Sequence, residues 1–172
     1  MMKKFLVFLL LFVNLQIVMH EDEVFWQADG LADIGQALGA CPPQYLQALV
    51  IANKLNEVLD GKNLSFVGHS LGGGLAAFCS ILTGRYAMTF NPAGLSWLNI
   101  NSLDTLGLNH GMDNIYRYVM QGDPVDWFNS ITPVTSAGHL IEVQNYTNGE
   151  KTHSITNMVN SLNPNNKILI RL

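Results

Sequence analysis

Residues 43–60, PQYLQALVIANKLNEVLD, place Tyr45, Leu49, Ala52, Leu55 and Leu59 at helical spacing on one face. Pro43 suits a first helical turn and Gly61 a C-terminal cap, so the pattern predicts a helix over 43–60. The apolar run LSFV then reads as a short buried strand, and LGGGLAAFCSILTG as a helix closed by Gly84. YAMTF is a strand ending at the Asn91-Pro92 turn. Residues 95–113 are polar and irregular, giving a loop with room for one short helix. IYRYVM alternates like a strand and ends in the turn Gly122-Asp123-Pro124; HLIEV is a further strand, SITNMVNSL a short helix and KILIRL a terminal strand. Alternating strands and helices predict an α/β fold: a mostly parallel sheet with helices on both faces and its functional loops at the carboxyl ends of the strands.

The N-terminus supports two readings. Residues 1–20 begin with lysines and carry an apolar run over 5–13, which resembles the first two regions of an export signal or an anchor; no small-residue cleavage site follows. The run is short for a membrane span, which needs about 20 apolar residues. Alternatively, 5–13 and 15–19 are two buried strands, because a parallel sheet covered on both faces requires continuous apolar runs. Under either reading of 1–20, the main α/β domain is expected over 21–172. An export signal or anchor favours secretion or membrane association over the cytoplasm.

Composition narrows the function. The chain has 172 residues, which suits one domain. Hydrophobic residues make up 48% and charged residues 13%, which excludes a disordered chain. The net charge is −4 and no Lys/Arg cluster occurs, so a nucleic-acid partner is not expected. Cys41 and Cys79 have neither zinc-site nor dithiol spacing. Cys79 falls in a predicted buried helix and is expected to act as a small apolar side chain.

Gly68-His69-Ser70-Leu71-Gly72 fits the pattern G-x-S-x-G between a predicted strand and a predicted helix. A serine hydroxyl becomes a nucleophile when it is held clear of the backbone beside a base. A sharp strand-to-helix turn does this by straining the serine, and the turn closes only if the residues two before and two after it are small. Gly68 and Gly72 meet that demand. The following helix aims its unpaired amides at the position of a developing oxyanion, which makes the Leu71 amide a candidate donor.

VGHSLGGGLAAF, followed by MTFNPAGLS and VMQGDPV, resembles the lipase class 3 family, particularly its bacterial lipase and phospholipase-like members. The resemblance extends over roughly residues 29–160, where DGLADIGQALG is similar to the family's segment leading into the helix before the serine. It implies an α/β-hydrolase fold and hydrolysis of carboxylic esters, usually of lipids. A lipid or other ester substrate follows from the same resemblance, and contact with a membrane or lipid surface is expected from the apolar composition and the N-terminal run. The family's Phe-Arg-Gly-Thr-like segment, which carries a second oxyanion donor, has no counterpart here; the equivalent region would fall near IVMHEDEVFWQAD, with His20-Glu21-Asp22 as a degenerate loop. The chain also looks short on its N-terminal side for the family.

A serine of this kind needs a histidine as base and a carboxylate to orient it, in the α/β-hydrolase order Ser, Asp, His. Asp104, Asp113, Asp123, Asp126, Glu142 and Glu150 all follow Ser70. Asp123 is preferred because it occupies a tight turn just beyond a strand; an Asp before Pro is also an ordinary turn former. The family's acid lies in a similar GDP segment. Among the histidines, His153 in a polar loop opening a helix is preferred as base, with His139 at the head of HLIEV as the alternative; the family's base similarly sits late, before a helix. His69 is set aside as a base because its side chain is carried away from the hydroxyl. The chemistry expected is ester cleavage through an acyl-enzyme, without metal or organic cofactor. Two other classes stay open: a weak or inactive lipid-binding remnant of the fold, and an acyltransferase or thioesterase using the same three residues.

Overall fold

A computed structural model describes residues 43–59, 64–146 and 152–162. The expectations for residues 1–42, the cap at Gly61 and the terminal strand KILIRL lie outside the described residues.

Helix α1 (Pro43–Val58) leads to strand β1 (Ser65–His69), which passes through Ser70 into helix α2 (Leu71–Thr83) and then strand β2 (Tyr86–Phe90). The two-residue strand β3 (Leu95–Ser96), helix α3 (Trp97–Thr105), strand β4 (Ile115–Met120) and helix α4 (Pro124–Ile131) follow. Strands β5 (Val134–Thr135) and β6 (His139–Val143) and helix α5 (Ile155–Leu162) complete the described elements. Four strands pair in parallel in the order β1-β2-β4-β6, and β3 pairs antiparallel with β5. This is an α/β fold with a mostly parallel sheet.

Because side chains alternate along a strand, each face can be read from the register. Phe66, Ala87 and Ile115 share one face and join the main core with Tyr45, Ala48 and Ala52 of α1 and the apolar side chains of α2. Phe90, Tyr118, Met120 and Val143 lie on the opposite face, where Ile155 and Met158 of α5 cover them. Helices therefore pack on both faces, as expected of a parallel sheet.

Helix α2 is buried from Gly72 through Thr83. Its small residues permit a close approach: a Cβ on Gly73 would stand 2.7 Å from the Pro92 side chain. Gly84 ends the helix at φ 68°, donating its amide to the Ser80 carbonyl, a conformation glycine adopts without the Cβ clash. Cys79 is a free, buried thiol, and burial pushes its pKa up to about 12, in keeping with a packing role.

Helix α4 and the β3–β5 pair were not expected from the sequence, whereas the short helix allowed for within 95–113 is present. The segment 95–113 contains a regular helix, α3, capped by the Ser96 side chain and seated on Leu103, which is fully buried. The turn at Gly122-Asp123-Pro124 leads directly into helix α4, an element the sequence pattern did not show. The β3–β5 pair was absent from the pattern because two residues are too few to show a period. Asn129 of α4 explains how these pieces join: its Oδ1 accepts from Gly94 N at 2.9 Å and its Nδ2 donates to Pro92 O at 2.9 Å. Among the described residues, no helix is long and apolar enough to cross a membrane.

Candidate active site

Ser70 follows the carboxyl end of β1 with φ 56° and ψ −127°. Its N–H donates to Phe90 O at 3.1 Å, and its carbonyl accepts from Gly74 N at 3.2 Å and Ala93 N at 2.9 Å. Its side chain makes no capping bond to the helix it precedes. A non-glycine residue at positive φ costs on the order of 1–3 kcal/mol, which the surrounding packing must over-determine. Gly68 shows why the turn demands glycine: a Cβ there would fall 2.0 Å from the Gly72 carbonyl oxygen. No side-chain rotation relieves a clash with backbone. Leu71 opens α2, so its amide is among the first-turn donors of that helix.

Asp123 follows the carboxyl end of β4 and caps α4, its Oδ1 accepting from Asp126 N at 2.9 Å, with Pro124 at the first helical position. Its second oxygen, Oδ2, meets His153 Nδ1 at 2.7 Å. Both side chains are buried. Since a carboxylate accepts, His153 donates from Nδ1, and Nε2 is the ring nitrogen on the side away from Asp123.

Two further polar groups surround this pair. The His69 ring lies 4.7 Å from the His153 ring, and its Nε2 donates to the His153 carbonyl at 2.7 Å. Burial, reinforced by the neighbouring His153, pushes the His69 pKa down to about 3, so His69 is neutral at physiological pH. Asn91 is fully buried at φ 43°. Its Oδ1 accepts from Met120 N at 2.8 Å, and its Nδ2 donates to Thr152 O at 2.9 Å. Sequence reasoning set His69 aside and took Asn91 only as a turn residue. The signal in the sequence was position: one residue flanks the serine and the other follows the end of the next strand.

Parallel strands begin at one end of the sheet and finish at the other. Ser70 and Asp123 follow the ends of β1 and β4, whereas His139 opens β6, a strand length of about 15 Å away. His139 is exposed, its ring is tilted at 40° against that of Tyr116 with centroids 5.8 Å apart, and its Nε2 meets Asp113 O at 3.1 Å. The structure does not bring this alternative base to the Ser70 end. The region around His20-Glu21-Asp22 lies outside the described residues. Among the described residues, no group of three or more His, Cys, Asp or Glu side chains is placed to hold a metal ion.

Comparison with known proteins gives two findings. The family described as Tle-like phospholipase domain matches residues 24–166. The extracellular phospholipase A1 of Serratia liquefaciens is 47% identical to this chain over 75 residues, a match covering 44% of this chain and 23% of that relative.

Proposed function

This chain belongs to the Tle-like phospholipase domain family, and from that premise we propose that it hydrolyses carboxylic esters of phospholipids with Ser70 as nucleophile, His153 as base and Asp123 as orienting acid. The observation that carries the reading is the buried Asp123–His153 pair, tied through the 2.7 Å bond from His69 to the residue next to the strained serine. Gly68-His69-Ser70-Leu71-Gly72 forms the nucleophile elbow of an α/β-hydrolase fold. His153 Nε2 takes the Ser70 proton as Oγ attacks the ester carbonyl, and Asp123 holds the imidazolium that results. The Leu71 amide stabilises the oxyanion. His153 then protonates the departing alcohol, and a water molecule, deprotonated by the same nitrogen, cleaves the acyl-enzyme and restores Ser70.

Lipid contact belongs to the same proposal. Trp97 and Leu98 on α3 and Trp127 and Ile131 on α4 are exposed, and these helices adjoin the short β3–β5 sheet beyond the carboxyl ends of the strands. Exposed tryptophan with aliphatic neighbours suits the boundary between water and lipid. The matched relative bears the words extracellular and phospholipase A1, which supports an exported protein acting on phospholipid.

Diacyl phosphatidylcholine vesicles incubated with the full chain are expected to release free fatty acid. Release from a triacylglycerol emulsion alone would overturn the phospholipid assignment. Release from neither, nor from a soluble p-nitrophenyl ester, would overturn the hydrolase reading.

A further inference from the structure

The segment bearing His153 is anchored by its backbone as well as by its imidazole. Two consecutive carbonyls each accept one side-chain bond: Thr152 O from Asn91 Nδ2 at 2.9 Å and His153 O from His69 Nε2 at 2.7 Å. These carbonyls belong to the peptide planes on either side of the His153 Cα. Fixing both planes fixes φ and ψ at that residue, and with them the direction of the Cα–Cβ bond. The ring torsions that remain are set by Asp123 Oδ2. Three bonds thus determine where the imidazole stands.

The anchors also share a frame with Ser70. His69 precedes the serine in the chain, while Asn91 follows Phe90, whose carbonyl accepts the Ser70 amide at 3.1 Å. Asn91 has its own orientation fixed, because its Oδ1 is held by Met120 N and its backbone N–H donates to Tyr118 O at 2.8 Å. The Thr152 hydroxyl adds a bond to Gly122 O at 2.9 Å, next to Asp123.

We infer that His69 and Asn91 are positioning residues that clamp the backbone on either side of His153 and so hold the base in register with Ser70. This inference rests on the reading of His153 as the base. In the proposed reaction neither residue gives or takes a proton. The His69 role requires an N–H at Nε2 and no charge: burial keeps the ring uncharged at physiological pH, and the His153 carbonyl it faces calls for the proton on Nε2. A positively charged ring beside His153 would oppose the imidazolium formed during catalysis.

The test compares His69→Phe, which keeps a flat ring of similar size but removes the donor, with His69→Gln, which restores a neutral donor near the Nε2 position. On a soluble p-nitrophenyl ester, His69→Phe is expected to lose about 100-fold in kcat with KM little changed, the scale of a displacement of about 1 Å at a reacting group. His69→Gln is expected to recover most of that loss. Asn91→Asp, which replaces the donor to Thr152 O by an acceptor, is expected to show the same loss confined to kcat. A second readout does not depend on turnover: the low-field proton of the His153 Nδ1–H···Asp123 bond, assigned by its disappearance in His153→Gln, should broaden or move in His69→Phe and return in His69→Gln. A wild-type kcat and an unmoved resonance in His69→Phe would overturn the clamp, as would equal impairment of both His69 variants. If the wild type shows no Ser70-dependent turnover but the resonance responds as described, the backbone clamp is supported and the hydrolase reading fails instead.

Discussion

Ser70→Ala is expected to lower ester hydrolysis by about 10⁵–10⁶-fold, the scale seen when the nucleophile is removed from a serine hydrolase whose catalytic groups act as a unit. The substitution is nearly neutral for the fold. Alanine keeps the same Cβ at φ 56°, so the strain of the turn does not change, and the hydroxyl it removes makes no capping bond to α2. The backbone bonds that hold residue 70, from its N–H to Phe90 O and from Gly74 N and Ala93 N to its carbonyl, need no side chain. Thermal unfolding of the variant should therefore match the wild type while kcat on a p-nitrophenyl ester falls to background. Retained turnover would place the nucleophile elsewhere.

Asp123→Asn is expected to lower kcat by about 10⁴-fold through the tautomer of His153. The asparagine Oδ1 can still accept from Asp126 N, so the cap of α4 survives. What changes is the atom facing His153. An amide NH₂ in place of Oδ2 donates toward Nδ1, which then must carry the lone pair, and the proton moves to Nε2 where a base is needed. The ring keeps its place and loses its basic nitrogen on the serine side. Asp123→Ala removes the cap as well and should add a stability loss of about 1 kcal/mol, seen as a lower Tm. An Asp123→Asn variant with wild-type kcat would remove Asp123 from the mechanism.

The elements nearest Ser70 were the most legible in the sequence. Helix α1 shows its period in Tyr45, Leu49 and Ala52, and the β1–α2 junction is marked by a dense apolar run broken only by glycines, serines and His69. Helix α4 was hidden because Gly122-Asp123-Pro124 satisfies two rules at once. The same three residues that make a turn also serve as an N-cap followed by proline at the first helical position, and the helix that follows has only 8 residues to declare a period. Val125 and Asn129, one turn apart and both buried, carried the missing signal.

Contacts between distant segments were not readable at all. His69 and His153 are 84 positions apart and Asn91 and Thr152 are 61 apart, and each bond joins a side chain to a backbone carbonyl, which leaves no trace in residue type. Reading the motif as G-x-S-x-G treats position 69 as arbitrary, yet in the folded chain its ring lies against His153. His139 was a reasonable alternative base by residue type and chain order. Only the parallel direction of β6, which starts where the other strands start, separates it from the Ser70 end of the sheet.

Reaction of the folded chain with a fluorophosphonate probe, followed by mass spectrometry of the labelled peptide, measures the activation of Ser70 without any assumption about the lipid substrate. The expected result is one adduct on Ser70, absent in Ser70→Ala and strongly slowed in Asp123→Asn. A folded wild-type chain that stays unlabelled at Ser70, or that labels equally fast in Asp123→Asn, would contradict a nucleophile activated by His153 and Asp123.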